Sequence, residues 1–595
     1  MPTPSKILAL IGLACAAGCA TSNLPRTGNS RVDVDSHVLL AELARERGQF
    51  AESTEHYLDA AVISDDPQLA ALTTEMAHRV GLDDVGLMAA RRWYELDPEN
   101  FRSAQFLGLF LMRTGNLDES VAVHEALLAT ARNQSAGLSL IVEALMDDDD
   151  RRGTMALVSR LVDNHPDIAE GHFGLARMAM RADDYALAVT HARQAAELRP
   201  DWPDAQLLLA RLLVLTGRAE EGLALIEPLA DESDDLEIRL QFAELLLSSG
   251  RSGQARTRLD AILAENPGLP EAIRALAFLT LTQNELDESK GYFEQLRAQP
   301  RFREEAFFYL GRIAEAEEQP LQAMRAYSRV TTGNNAVEAQ LRAANMLYVE
   351  LDDHEGALQH LREFGLANPD YEIEMLIGQS DLLVRMNRHD EAMQLISDGL
   401  ERHPDERVLE QARLQLYLVH AQAAVADGDL RLAERLLRDA LRDYPGNVSL
   451  RYAQALLYQE QGHLRRAADA LESLVSDTPE DAGLLNALGY LLTDSLDRHQ
   501  EAFDYIQQAL TLEPDNAAII DSMGWVLFHL GDHEAALDYL QRAFELFPDP
   551  EVAAHIIDVY LALGDRREAE AVLSRELAQH PDDPHLKDVQ QRHGL

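Results

Sequence analysis

Small residues recur along this chain at a spacing close to 34, and that period limits the possible folds more than any other feature. In the copy over 517–548, Ile520, Met523, Gly524 and Leu527 fall at helix spacing, Gly531 and Asp532 interrupt it, and Ala536, Leu540 and Ala543 resume it before Pro548. This pattern predicts one helical hairpin. Gly524, Ala536 and Ala543 are small because two helices crossing closely leave no room for a long side chain. Pro548 ends the second helix, since proline lacks the amide hydrogen and disfavours helix at the residue before it. Taking Gly524 as the register mark, equivalent positions are Ala41, Thr74, Gly108, Val142, Ala176, Ala210, Ala243, Ala277, Gly311, Asn345, Ser380, Ala421, Ala455, Gly489 and Ile557. Successive steps are 33 to 35 residues, with one exception. Second-helix alanines follow from Ala188 to Ala569 and closing prolines from Pro98 to Pro581, so a single repetitive all-α array outweighs the several domains that 595 residues could otherwise form.

The spacing resembles the tetratricopeptide repeat, whose hallmark runs large, x2, Leu-Gly, x2, large, then Ala-x3-large, then Pro. The resemblance implies a superhelical solenoid of about 16 helical hairpins. It also implies that inner-face residues of the first helices hold partner segments. By register these are Phe173, Arg177, Met180 and Arg181, Leu207 and Arg211, Arg274 and Phe278, Phe308 and Arg312, and Arg342 and Met346. Arginine interleaved with aromatic residues suits a peptide bearing carboxylates, although the same residues fit ordinary amphipathic helices. Nearer the C-terminus the inner face changes to Tyr452, Asn486, Tyr490, Asp521, Trp525, Phe528 and His529, with Trp525 and Phe528 the expected apolar anchors. The lysine-and-asparagine carboxylate clamp of chaperone-binding members is not matched there.

The formal charge is −48, and Lys6, Lys290 and Lys587 are the only lysines. Such a surface repels nucleic acid and favours basic partners or a salty medium, and it also keeps a chain soluble without any ligand. Both cysteines, Cys15 and Cys19, lie near the start, so the repeats hold no thiol chemistry. Lys6 precedes an apolar run over 7–17 that suits a signal peptide. Ala16-Ala17-Gly18-Cys19 resembles the bacterial lipobox, although Ala16 stands where leucine is commoner. The resemblance implies a signal peptide over 1–18, lipidation at Cys19 and a tether over 19–35. Ala20, where an aspartate would direct inner-membrane retention, points by the same resemblance to the outer membrane. Cleavage after Ala16, giving a soluble secreted protein, is the competing reading.

Two places break the period. Asp147 to Asp150 fill one turn, where four adjacent carboxylates lack the spaced loop that calcium requires and read as a solvated turn. The step from Ser380 to Ala421 is seven residues too long, about two helical turns, and predicts an extended helix over 406–425 projecting beyond its neighbours. That step divides the repeats into 36–403 and 404–583, followed by a cap over 584–595.

No HExxH, GxSxG, P-loop or dinucleotide glycine fingerprint occurs, and His529 and His533 lack a third ligand. The reading is therefore a non-enzyme without metal or cofactor. Three stretches, over 39–61, 485–510 and 519–555, resemble the LbcA-type Gram-negative outer-membrane lipoproteins. These partner a periplasmic carboxyl-terminal processing protease. The resemblance implies a periplasm-facing, lipid-anchored adaptor engaging that protease and peptidoglycan hydrolases. The alternative is an assembly factor for an outer-membrane, pilus or polysaccharide-export machine.

Overall fold

The computed structural model describes residues 30–595; the signal-peptide and lipidation expectations, Cys15 and Cys19 among them, lie outside the described residues. Within them are 33 α-helices and no strand, forming sixteen antiparallel hairpins and one terminal helix. The first helix, Ser30–Glu46, begins inside the expected tether, with no glycine or proline after Gly28 to stop it and Asp33 placed in its first turn. No described helix is long and apolar enough to cross a membrane. The chain divides into two compact units, Met1–Pro300 and Arg301–Leu595.

The close crossing inside each hairpin explains the register residue. A Cβ on Gly524 would lie 2.6 Å from Leu540 Cγ and 3.1 Å from the Ala536 carbonyl oxygen. Gly108, Gly311 and Gly489 stand equally close to His124, Tyr327 and Ile506 of their own second helices. Each of these side chains is fully or almost fully buried over a bare backbone, and burial of one leucine such as Leu540 contributes roughly 1.5–3 kcal/mol. Where serine replaces the second-helix alanine, its hydroxyl hydrogen-bonds to the register carbonyl: Ser53 to Ala41, Ser120 to Gly108 and Ser289 to Ala277, at 2.7–2.9 Å. A buried hydroxyl is tolerated there because its partner is built in.

In every hairpin except the one closed by Asp147–Asp150, the turn between paired helices passes through the left-handed region. Glycine supplies it at Gly217, Gly428 and Gly531, while Asp183, Asn284 and Asn387 supply it elsewhere. Asp532 and Asp429 then cap the second helices, and Asn516 and Asp481 cap first helices, by accepting a backbone amide.

The acidic turn is less solvated than its composition implies. The Asp148 side chain is only 3% exposed and accepts from Arg113 Nη2 at 2.6 Å and Nε at 3.1 Å. Asp150 caps Arg151–Asn164 and Asp147 meets Arg181. The long step is a helix of 20 residues, Arg407–Ala426, but its extra turns do not project: Leu409 is fully buried beside Gly399 and joins the cluster of Leu376 and Ile396. At the far end, Pro584–His593 buries Leu586 and Val589, and its Arg592 and His593 both pair with Asp558.

Candidate protein-binding site

In the second unit four first helices line up: Val448–Glu460, Ala482–Asp494, Ala517–Leu530 and Pro550–Leu563. A pocket of about 430 Å³ opens along them. Tyr452, Asn486, Tyr490 and Asp521, all expected on this inner face, line it together with Leu456, Phe547, Asp549 and Glu551. Tyr490 donates a 2.7 Å hydrogen bond to Glu551, which fixes a carboxylate against an aromatic ring. Burial and that carboxylate push the phenol well above its ordinary range, so it remains a donor. Tyr452 is raised by burial and by Asp481. Asn486 Oδ1 is buried and has no hydrogen-bond partner among the described residues.

Asp521 is held from behind. His555 Nδ1 lies 3.0 Å from its Oδ1, and the imidazole stacks on Trp525 with centroids 4.0 Å apart. Burial disfavours the His555 cation, but Asp521 outweighs it and the net shift is upward. Trp525, expected as an exposed anchor, is 9% exposed because His555 of the following hairpin covers one face. Phe528 also stacks with the indole, centroids 5.2 Å apart, and is half-buried. Neither lines the pocket. They form its backing, and His529 is exposed beside them.

The arginine-bearing inner positions are more engaged than their spacing implies. In the first unit Arg177 pairs with Glu143 and Arg181 with Asp147, each an acid of the preceding hairpin. Half-buried Phe173 packs against Trp202 with the rings tilted by 41° and their centroids 4.6 Å apart, and Arg177 lies 5.8 Å from the Phe173 ring centroid. Arg274 covers Phe278 at 4.8 Å, and Leu207 is buried. Arg211 is exposed and forms no ion pair among the described residues. In the second unit Arg342 pairs with Glu315 and Glu338, while Arg312 is exposed without an ion pair among the described residues. Phe308 is a core residue at 3% exposure, packed on Tyr327, and Met346 is buried beside it. The ion pairs are surface pairs of little stability, so they tie neighbouring hairpins weakly.

Glu551 and Phe547 were absent from the sequence-based site. Both lie outside the register of inner first-helix positions, Phe547 at the end of a second helix and Glu551 in the first turn of the next. The one available signal was Phe547 itself, a large apolar residue at a turn, and it is 62% exposed.

Family models described as tetratricopeptide repeat match residues 155–201 and 173–235, 424–489 and 527–592, and 480–549. The chain carries tetratricopeptide repeats. It is 28% identical over 524 residues to the TPR repeat-containing protein PA4667 of Pseudomonas aeruginosa, covering 87% of this chain and 81% of that protein. Cellulose synthase operon protein C of Pseudomonas fluorescens is 22% identical over 49% of this chain and 24% of its own length. Among solved structures, a thermophilic TPR protein of Thermus thermophilus is 25% identical over 30% of this chain and 97% of its own, at a TM-score of 0.27. The APC/C hetero-tetramer Cut9-Hcn1 is 12% identical over 88% and 96%, at a TM-score of 0.28. Tetratricopeptide-repeat proteins are in general non-catalytic scaffolds for protein–protein interaction.

Proposed function

We propose that this chain is a periplasm-facing outer-membrane lipoprotein, lipidated at Cys19, that acts as an adaptor. It brings a carboxyl-terminal processing protease together with peptidoglycan hydrolase substrates. The observation that carries the protein-binding part is the first-helix pocket, in which Tyr452, Tyr490 and Phe547 stand beside Asp521 and Glu551. Rigid helices hold these groups, so a partner segment meets a site whose side chains are already placed. Two units of stacked hairpins supply separate surfaces, and holding enzyme and substrate on one scaffold raises their effective concentration without supplying chemistry. The lipobox-like Ala16-Ala17-Gly18-Cys19 and the three stretches similar to adaptor lipoproteins support the location and the partners.

The similarity to a cellulose synthase operon protein favours a second reading, an assembly factor for polysaccharide export. Tagged protein and a Cys19→Ala variant, purified from detergent-solubilised envelopes and read by mass spectrometry, separate the two. Adaptor function predicts a carboxyl-terminal processing protease and wall hydrolases with the native protein, and loss of membrane association with the variant. Recovery of an export or pilus component without the protease sinks the adaptor reading.

A further inference from the structure

We infer that the pocket between Tyr452 and Glu551 receives the side chain of an arginine carried on an extended segment of a partner protein. This rests on the protein-binding reading and names the chemistry of that site.

Charge comes first. The lining contains three carboxylates, Asp521, Asp549 and Glu551, and no arginine, lysine or histidine. Two helix N-termini also face this region, at Ala517 and Pro550, and their partial positive charge would ordinarily draw an anion. Both are already met from within. Asn516 accepts from the Ala518 amide, and Asp549 accepts from the Glu551 amide at 2.8 Å. Asp521 is balanced in part by His555, which acts more weakly on Glu551; the hydrogen bond Glu551 accepts comes from a neutral phenol, so it is the less compensated of the two.

Shape and hydrogen bonding narrow the ligand further. Two tyrosine rings and Phe547 offer π-faces, which attract a guanidinium more than a strongly hydrated ammonium. Arginine carries five N–H donors and no acceptor. The pocket offers the complementary set: two Glu551 and Asp521 carboxylates and the buried, unpartnered Asn486 oxygen. Leu456 and Val552 supply an apolar wall along which the aliphatic stem can lie. A shallower depression of about 660 Å³ at Thr478–Ala482 and Glu513 has acids but no aromatic wall, and lacks this combination.

The test uses the full chain and a displayed library of random octapeptides, followed by synthetic copies of the recovered sequences in fluorescence anisotropy. Recovered peptides are expected to share an arginine at one position. Replacing it by glutamine should weaken binding about tenfold, the scale of one charge-assisted contact. Glu551→Gln, which keeps an acceptor for Tyr490, should give the same loss with the arginine peptide and almost none with the glutamine peptide. Tyr490→Phe, a smaller change, should give a partial loss. Peptides lacking a basic residue, or indifference to Glu551→Gln, overturn the inference. Peptides that instead respond to Arg211→Ala or Arg312→Ala overturn it while leaving the protein-binding reading intact. Failure of the envelope purification to yield any protease bears on the adaptor reading alone.

Discussion

The close crossing at Gly524 can be measured as a coupling energy. Gly524→Ala places a methyl group 2.6 Å from Leu540 Cγ and 2.8 Å from its Cδ2, inside van der Waals contact. Overpacking of this kind costs about 1–3 kcal/mol, and the helix-propensity gain of alanine over glycine returns about 1 kcal/mol. The expected net loss is therefore about 0–2 kcal/mol. Leu540→Ala removes a fully buried side chain and should cost about 2–5 kcal/mol. In the double variant the two clashing Leu540 atoms are gone and only the 3.1 Å approach to the Ala536 carbonyl oxygen remains, so the alanine at 524 should be close to neutral. The two changes should thus fall short of additivity by about 1–3 kcal/mol. Stability in a repeat array is local, so amide exchange across 517–546 is the appropriate assay, with urea unfolding beside it. Additivity within about 0.5 kcal/mol would refute the claim that Leu540 is what excludes a side chain at 524.

Three further outcomes follow from the same structure. Asp148→Asn leaves Arg113, 12% exposed, without its main partner and should destabilise by about 3 kcal/mol in denaturant unfolding, whereas neutralising a freely solvated acid would change little. Acidification should destabilise the fold. Burial lowers the pKa of His124, His360, His191 and His420 below the unfolded value, so the unfolded chain binds more protons as pH falls through about 6.5, and stability present above that pH is lost below it. His555, shifted upward, opposes the trend; melting temperatures at pH 7.5 and 5.5, with His124→Gln showing the smaller difference, check the sign. Phe547→Ala removes an exposed pocket residue and should leave unfolding within about 0.5 kcal/mol of the parent while weakening partner capture.

Much of the fold is legible in the sequence because the repeat forces the same packing problem to be solved again and again. Gly108, Gly311, Gly489 and Gly524 are bare for one reason, a second-helix side chain resting on each. Prolines such as Pro514 follow the second helices for another. The site is harder to read. Helical spacing places Tyr490 and Trp525 on comparable faces, but exposure depends on what the next hairpin lays over them. His555 covers Trp525, while Tyr490 meets Glu551, 61 residues away, at the pocket wall. Phe308 is in the core because Tyr327 and Val330 close over it. Asp148 could not be recognised as buried from its acidic neighbours, since Arg113 reaches it from 35 residues upstream. Pairs that cross hairpins carry no local signature. They decide both the pocket and the exceptions to the period.

The most direct test of the adaptor reading is the rate at which a purified carboxyl-terminal processing protease degrades a purified peptidoglycan hydrolase, with and without the full chain. The account predicts acceleration of at least about tenfold at substoichiometric scaffold, within the range that raised effective concentration provides, and loss of most of it in a Tyr490→Ala, Phe547→Ala variant that remains folded. An unchanged rate at scaffold concentrations where both proteins are bound would contradict it.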